Sequence, residues 1–312
     1  MNVAHQITSI FCEVDDFCNE LEEQIKGGLI CGPNSGRKKR GPCTSLSDAE
    51  IMTILIMFQN IRYRDFKTFY CCHVQKYWQN YFPNLPSYNR FVELMKLVIF
   101  PLTLFAQAKT GKKTGIYYID STSLPACKLI RGKRNRTFKN VAKYGKTSVG
   151  WFFGLKLHIV INEQGELMAF KITKGNRHDS KEAVSLFAGL DGVAFGDKGY
   201  ISKKITAKLL EAGLKLITKV RKNMKEKIDM SKLEKQLLNQ RGIIETVIDH
   251  LKHHYQVWHT RHRSPLNALT HLISAIAAYT LEPLKISALK MLEGCDQTTN
   301  SVKGIQAVTV QS

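Results

Sequence analysis

The run Trp151-Phe152-Phe153-Gly154-Leu155-Lys156-Leu157-His158-Ile159-Val160-Ile161, the turn Asn162-Glu163-Gln164-Gly165 and the return from Leu167 to Ile172 decide the fold. Leu155, Leu157 and Ile159 fall on one side of an extended chain, Lys156 and His158 on the other. A period of two, broken by a glycine-containing turn, predicts an antiparallel hairpin. Just before it, the apolar run 116–120 ends in Asp120 and predicts a strand with that acid at its end. After it, the pattern predicts a helix over about 180–190, a strand over 193–197 and a helix near 202–212. A strand over 214–220 and a long helix over about 233–254 complete the series.

Strand, hairpin, helix, strand, helix, strand, helix is the order of a ribonuclease-H-like α/β fold, a mixed sheet with helices on both faces. The first third reads instead as a small all-helical domain. Ser47-x-x-Glu50 is a capping box opening onto Ile51, Ile54, Leu55 and Phe58 at helical spacing. A second helix is expected from about Asp65 to Tyr81, and a third from Ser87, past the breaks at Pro83 and Pro86. The expected division is a helical region over 1–110, either a DNA reader or a scaffold, a catalytic domain over 111–282 and a flexible tail over 283–312.

Forty-six Lys and Arg against twenty-six Asp and Glu give a net charge of +20 over 312 residues. Such a field favours a polyanionic partner, because each phosphate neutralised releases counterions. The eight cysteines form no C-x-x-C pair, which argues against a zinc ribbon or a disulfide scaffold. With no signal-peptide pattern at the start, the expected place is the bacterial cytoplasm. Leu94 to Ala106 and Leu266 to Leu281 are too interrupted to read as membrane spans, so core helices are expected.

Asp120 and Asp197 are each expected at the carboxyl end of a strand, where side chains reach the ligand crevice of an α/β sheet. Glu245 lies on the long helix, where Arg241, Glu245 and Lys252 fall at about 0°, 40° and 20°, one polar stripe. Ile243, Val247 and Leu251 flank that stripe and can pack on the sheet. Cutting a phosphodiester needs an activated oxygen nucleophile and a stabilised leaving oxygen, which two hard cations supply together. Three carboxylates suit Mg2+, with Mn2+ as a substitute, two ions being expected. Arg241 and Lys252 are placed to hold DNA phosphates beside them. Singly, an Asp at a strand end is more often a helix cap and a helical Glu more often surface; their joint occurrence carries the reading.

The chain resembles the DDE-class bacterial insertion-sequence transposases, in particular their insertion-sequence-982 branch. The likeness is carried by Tyr117-Tyr118-Ile119-Asp120-Ser121, by Gly145-Lys146-Thr147-Ser148-x-Gly150-Trp151-Phe152-Phe153-Gly154-x-Lys156-Leu157-His158 and by Gly175-Asn176-x-x-Asp179. Gly196-Asp197-Lys198-Gly199-Tyr200, Arg241-x-x-x-Glu245 with Lys252 six residues on, and His259-Thr260-Arg261-His262-Arg263-Ser264-Pro265 extend it. Leu46-Ser47-Asp48-x-Glu50 and Leu85-Pro86-Ser87-Tyr88-x-Arg90-Phe91 carry it into the helical region. The resemblance implies Asp120, Asp197 and Glu245 as metal ligands, cleavage at insertion-sequence ends, and joining to target DNA by a homodimer or larger synaptic assembly. One departure is Leu238, where related families often place a Tyr three residues before the Arg.

Asp179 is the rival second ligand, although it also stands where a helix N-cap is expected. His250, His253, His254, His259 and His262 crowd together, but their spacing fits no usual zinc pattern. Arg131, Lys133, Arg134, Arg136, Lys139, Lys143 and Lys146 form an acid-free segment expected to grip phosphates, ordering only when DNA arrives. Arg261 is a further expected DNA contact, and Arg37-Lys38-Lys39-Arg40 sits in a Gly/Pro-rich loop that is either solvated or phosphate-binding. Two alternatives remain at this level: a nuclease of the same fold that never joins, and a repurposed DNA-binding protein without catalysis.

Overall fold

The computed structural model describes residues 2–30, 45–218, 230–258 and 262–285. Its centre is a six-stranded mixed sheet: β1 (Ile116–Cys127), β2 (Lys143–Lys146), β3 (Trp151–Asn162), β4 (Leu167–Lys174), β5 (Gly192–Gly196) and β6 (Leu214–Thr218). The expected hairpin is β3–β4, with His158 opposite Lys171. β3 pairs antiparallel with β1 along one edge; its other edge is shared end to end by β2 and β4. Beyond β1 the sheet continues with β5 and β6, both parallel to it. Three antiparallel strands followed by parallel ones, with helices on both faces, is the mixed α/β architecture that the order of elements predicts.

Close backbone approach fixes the chain where the strands meet. A Cβ on Gly154 would lie 2.1 Å from the Leu124 carbonyl oxygen, so no side chain fits there, and the register of β1 against β3 slips just beyond, between Pro125 and Cys127.

One face of the sheet presents Tyr118, Leu155, Leu157, Ile159, Ile161, Phe195 and Ile217, sealed by α10 (Gly242–His253) through Ile243, Ile244, Val247 and Leu251. The other presents Tyr117, Ile119, Val160, Ala194 and Leu216 to α7 (Asp179–Leu186) and α8 (Lys203–Glu211). Because α7 covers that side, Lys156 and His158 are buried, at 8% and 0% exposure, although the alternation by itself marks them only as the polar face.

The helical region begins with α1 (Val3–Lys26), which packs on α2 (Asp48–Ile61). The capping box forms: Ser47 Oγ accepts from the Glu50 N–H and Glu50 Oε2 accepts from the Ser47 N–H. Every residue of α2 from Ile51 to Gln59 is buried, so this stretch is a scaffold helix with no face free for a DNA groove. The expected second helix is a run of α3 (Phe66–Phe69), a π turn (Tyr70–Val74) and α4 (Gln75–Tyr77), capped by Asp65. The third divides into α5 (Tyr88–Leu94) and α6 (Ile99–Ala108), bent by 62°. No single described helix is long and apolar enough to cross a membrane.

The expected helix over 233–254 is two, α9 (Lys232–Asn239) and α10, hitched at Gln240 and Arg241 just before Gly242, a poor helix former. The last helix, α11 (Pro265–Leu281), packs on α2 and α6. Gln59 on α2 donates to Ser274 Oγ at 2.8 Å, and the Tyr279 hydroxyl donates to the Gly165 carbonyl in the hairpin turn. One helix thus ties the helical region to the sheet. Residues 286–312, which hold most of the expected tail, lie outside the described residues, as do Arg37 to Arg40.

Ser47→Ala should lower stability by about 1 kcal/mol, the usual cost of a lost N-cap. Gly154→Ala should cost more, about 3 kcal/mol, because backbone rather than a flexible side chain must give way. Urea unfolding of the two variants checks the order.

Candidate active site

The last parallel pair of β1 and β5 is Ile119 with Gly196. One residue beyond this pair stand Asp120 on β1 and Asp197 just past the end of β5, so the two acids leave neighbouring strands whose backbones run about 4.8 Å apart. Asp120 is not at the end of its strand, as the sequence pattern suggests. β1 runs on to Cys127 because its pairing with β3 continues after β5 has ended. The acid therefore lies at the end of the parallel pairing but inside the antiparallel one, held from β3 opposite Ile159.

Asp120 shares its face with Tyr118, the face on which α10 lies. The hitch before α10 sets Arg241 at its first turn, four residues from Glu245. Arg241 donates from Nη1 to Asp120 Oδ2 at 3.4 Å and from Nη2 to Glu245 Oε1 at 2.5 Å. The guanidinium, 14% exposed, thus bridges the strand acid and the helix acid. In this arrangement it is committed to carboxylates rather than free for a phosphate, the role the sequence stripe suggests.

Burial lifts the Asp120 carboxyl to about 6; Asp197 and Glu245 add to the rise, while the Ser121 N–H and Arg241 oppose it. Asp197 and Glu245 are therefore both within electrostatic reach of Asp120. Asp197 is exposed and stands before a short 3-10 turn, Lys198–Tyr200, yet its side chain makes no capping bond to that turn. Its carboxylate is not spent on local structure. The site is a half-buried acid, two more accessible acids, only oxygen donors and excess negative charge, a set that suits a hard divalent cation.

Asp179 is placed differently. It begins α7 without a capping bond and instead accepts from Lys156 Nζ at 2.9 Å, with His158 Nδ1 at 3.8 Å. These partners are on the opposite sheet face from Asp120. A buried lysine needs a counter-charge, and Asp179 supplies it. Tyr200, 1% exposed, is within electrostatic reach of Asp120 and Asp179; burial first, then these acids, pushes its phenol upward. This network is absent from the sequence reading. The signal for it was a Lys and a His on one face of the same strand, which needs an acid once that face is covered.

The segment of seven basic residues is organised, not a loose loop. Leu129–Arg134 forms a 3-10 turn, and Asn135 Oδ1 accepts from the Phe138 N–H at 2.9 Å. Phe138 and Ala142 are buried with Phe153 and Ala268, and β2 then joins the sheet. Arg131, Lys133, Arg134, Arg136, Lys139, Lys143 and Lys146 are all exposed. Lys252 is mostly covered, 3.7 Å from Asp249 and 5.8 Å from the Trp258 ring centre. Arg261 and His259 lie outside the described residues.

Of the clustered histidines, His250 and His254 meet Glu282 beyond α11, with possible ligand atoms all within 4.8 Å. His250 Nε2 is 3.1 Å from Glu282, and His254 Nδ1 accepts from the Arg62 guanidinium. The guanidinium occupies the nitrogen lone pair, so this group serves as a clasp joining α10, α11 and the end of α2.

Residues 110–265 match the family described as Transposase DDE domain. No curated protein matches the chain. Among solved structures, the piggyBac transposase synaptic complex with hairpin DNA is similar at 11% identity and a TM-score of 0.44, covering 96% of this chain and 76% of that one. The Mos1 mariner paired end complex with Mn is similar at 11% identity and a TM-score of 0.23, covering 86% and 88%. A simian T-cell lymphotropic virus intasome complexed with a PP2A regulatory subunit is similar at 15% identity and a TM-score of 0.27, covering 61% and 59%.

The two aspartates should separate in their effects. Asp179→Asn strands the buried Lys156 and should cost on the order of 3 kcal/mol in urea unfolding, at the low end for a buried pair because Asp179 is partly exposed. Asp197→Asn should leave stability within about 0.5 kcal/mol and weaken Mn2+ binding in calorimetry. The reverse pattern would make Asp179 the ligand.

Proposed function

The chain belongs to the DDE transposase family, and from that premise we propose that Asp120, Asp197 and Glu245 hold the divalent metal with which it cuts and joins DNA. It is a DDE-type enzyme, and a transposase. What supports the assignment of these three acids is the register Ile119 to Gly196, which sets two carboxylates beside each other beneath the helix carrying the third.

The site's donors are hard oxygens, and a cation would favour the ionised Asp120 that burial first, and then Asp197 and Glu245, disfavour. Two bound Mg2+ ions would supply activation of the attacking oxygen and stabilisation of the leaving one. The chain's own residues do the positioning. Asp120 is fixed by its pairing with Ile159 on β3 and by the Ser121 N–H, which donates to its Oδ1 at 2.7 Å. Arg241 holds Asp120 and Glu245 in fixed relation, and turning away from Glu245 would free part of its guanidinium for a DNA phosphate. The exposed basic residues from Arg131 to Lys146 grip the backbone and set the register of the duplex without reading sequence.

In this reading water attacks the phosphodiester at the element's end and frees a 3′-hydroxyl, which then attacks a phosphodiester of target DNA in the same site. Both steps are in-line phosphoryl transfers needing the same positioned oxygens, so one site serves both. The ordered motifs of the insertion-sequence-982 branch support that finer placement, with a homodimer or larger assembly to pair two element ends. Inverted repeats flanking the gene would bear on it directly.

Asp120→Asn, Asp197→Asn and Glu245→Gln should each reduce Mg2+-dependent cleavage by about a hundred- to a thousandfold or more. Duplex binding in a gel-shift assay should change by no more than a few-fold. Wild-type activity in any of the three removes that residue from the site. A wild-type protein that cleaves but never joins in a strand-transfer assay would be a nuclease.

A further inference from the structure

β2 and β3 are joined by a tight turn: the Thr147 N–H donates to the Gly150 carbonyl at 2.8 Å, and the Gly150 N–H donates back at 3.3 Å. Gly150 has φ +146°, which an ordinary side chain rarely adopts. Ser148 and Val149 form the tip of this rigid hairpin. Val149 is 96% exposed and Trp151, at the base, is 60% exposed. Ile130, on the adjoining 3-10 turn, is 87% exposed.

Single exposed apolar residues are ordinary. Here two lie on one hairpin and the third on the 3-10 turn that packs against β3, in the most basic part of the chain. No Asp or Glu occurs between Asp120 and Glu163, while nine Lys and Arg do. Among the described residues, none of the seven basic groups from Arg131 to Lys146 is paired with a carboxylate, and Lys146 Nζ lies 5.8 Å from the Trp151 ring centre. Packing holds the element stiff: the Tyr144 ring leans on Phe153 with centres 5.0 Å apart and planes tilted by 55°, and a Cβ on Gly132 would meet the Tyr144 hydroxyl at 2.5 Å. An open indole and a protruding valine amid phosphate-binding cations fit a ligand that is both polyanionic and aromatic. Charge alone would serve a paired duplex; the indole adds nothing there, since paired bases show no ring faces.

We propose that the β2–β3 hairpin tip is a nucleobase-binding wedge, in which Trp151 stacks on a base taken out of the duplex and Val149 occupies the gap. This rests on the DNA reading above and extends it from phosphates to an unstacked base. Trp151 stands eight residues along β3 from Ile159, the partner of Asp120, or about 27 Å at ~3.4 Å per residue. The base it takes therefore lies roughly eight base pairs from the scissile phosphate if the duplex follows the strand, at ~3.4 Å per base pair. The wedge grips DNA distorted beside the reaction, not the reacting nucleotide.

The test uses the full chain, in EDTA, with two fluorescein-labelled 30-base-pair duplexes, one fully paired and one with a central four-nucleotide bubble. Wild type should bind the bubble about tenfold more tightly, the scale of one base–aromatic stack. Trp151→Ala should erase that preference, leave paired-duplex affinity within about twofold and leave the salt slope unchanged, whereas Trp151→Phe should retain most of it. Lys146→Ala should instead weaken both probes together and reduce the slope by about one unit. Equal wild-type affinity for the two probes, or an unchanged preference in Trp151→Ala, overturns the wedge while leaving the DNA reading intact. If wild type binds neither probe, the DNA reading itself fails and the wedge with it. If Trp151→Ala changes only the sedimentation of the protein, the tip is a contact between copies of this chain and the proposal is wrong.

Discussion

The parallel pairing of β1 with β5, ending at Ile119 and Gly196, is the constraint from which the site follows. In a sheet, the register of two strands fixes which side chains are neighbours, and a slip of one residue would turn every side chain to the other face. Here it sets Asp120 beside Asp197 on the side occupied by α10. The apolar residues of α10 seat it on Tyr118, Leu157 and Ile159, leaving Arg241 and Glu245 at the edge of that contact, directly over Asp120. Packing of a hydrophobic stripe and hydrogen bonding of a strand pair thus converge on one group of carboxylates.

Burial, with a smaller push from Asp197 and Glu245, raises the Asp120 carboxyl, and one guanidinium bridges two of the three acids. Arg241 supplies positive charge beside two of the three acids. It makes the arrangement tolerable in a fold that places like charges close, and its long side chain can release one acid without moving the helix. On the other face, Lys156 and Asp179 solve a different problem, the burial of a charged group under α7. Tyr200 senses both groups, and it follows Asp197 closely enough that the two sheet faces share one short turn.

The rest of the molecule holds this centre and extends it. α11 clamps the helical region to the hairpin turn through Gln59 and Tyr279, and the His250, His254 and Glu282 clasp binds α10 to the same structure. At the far end of β3 the basic 3-10 turn and β2 are fastened by Phe138 and Tyr144, which turns a charged segment into a shaped surface. One long strand therefore links the Asp120 region to the hairpin tip.

Most of the elements, and the candidate acids, can be read from the amino-acid sequence. Period-two alternation marked the hairpin, the Ser47 and Glu50 capping box marked α2, and the acids Asp120, Asp197 and Glu245 were legible because their order matched that of the strands and helices around them. These are local signals, carried by residues a few positions apart. Only the tertiary structure decided what depends on distant partners. It extended β1 past Asp120 because β3 continues beside it, and it broke the long helix so that Arg241 meets two acids instead of solvent. It buried Lys156 and His158 because α7 folds over their face, and it drew Asp179 away from the other acids to pair with them. It also ordered the basic segment, whose charge was plain but whose Phe138 and Tyr144 anchors have meaning only against β3 and α11. Burial and counter-charge are properties of the assembled fold, and no stretch of chain read by itself contains them.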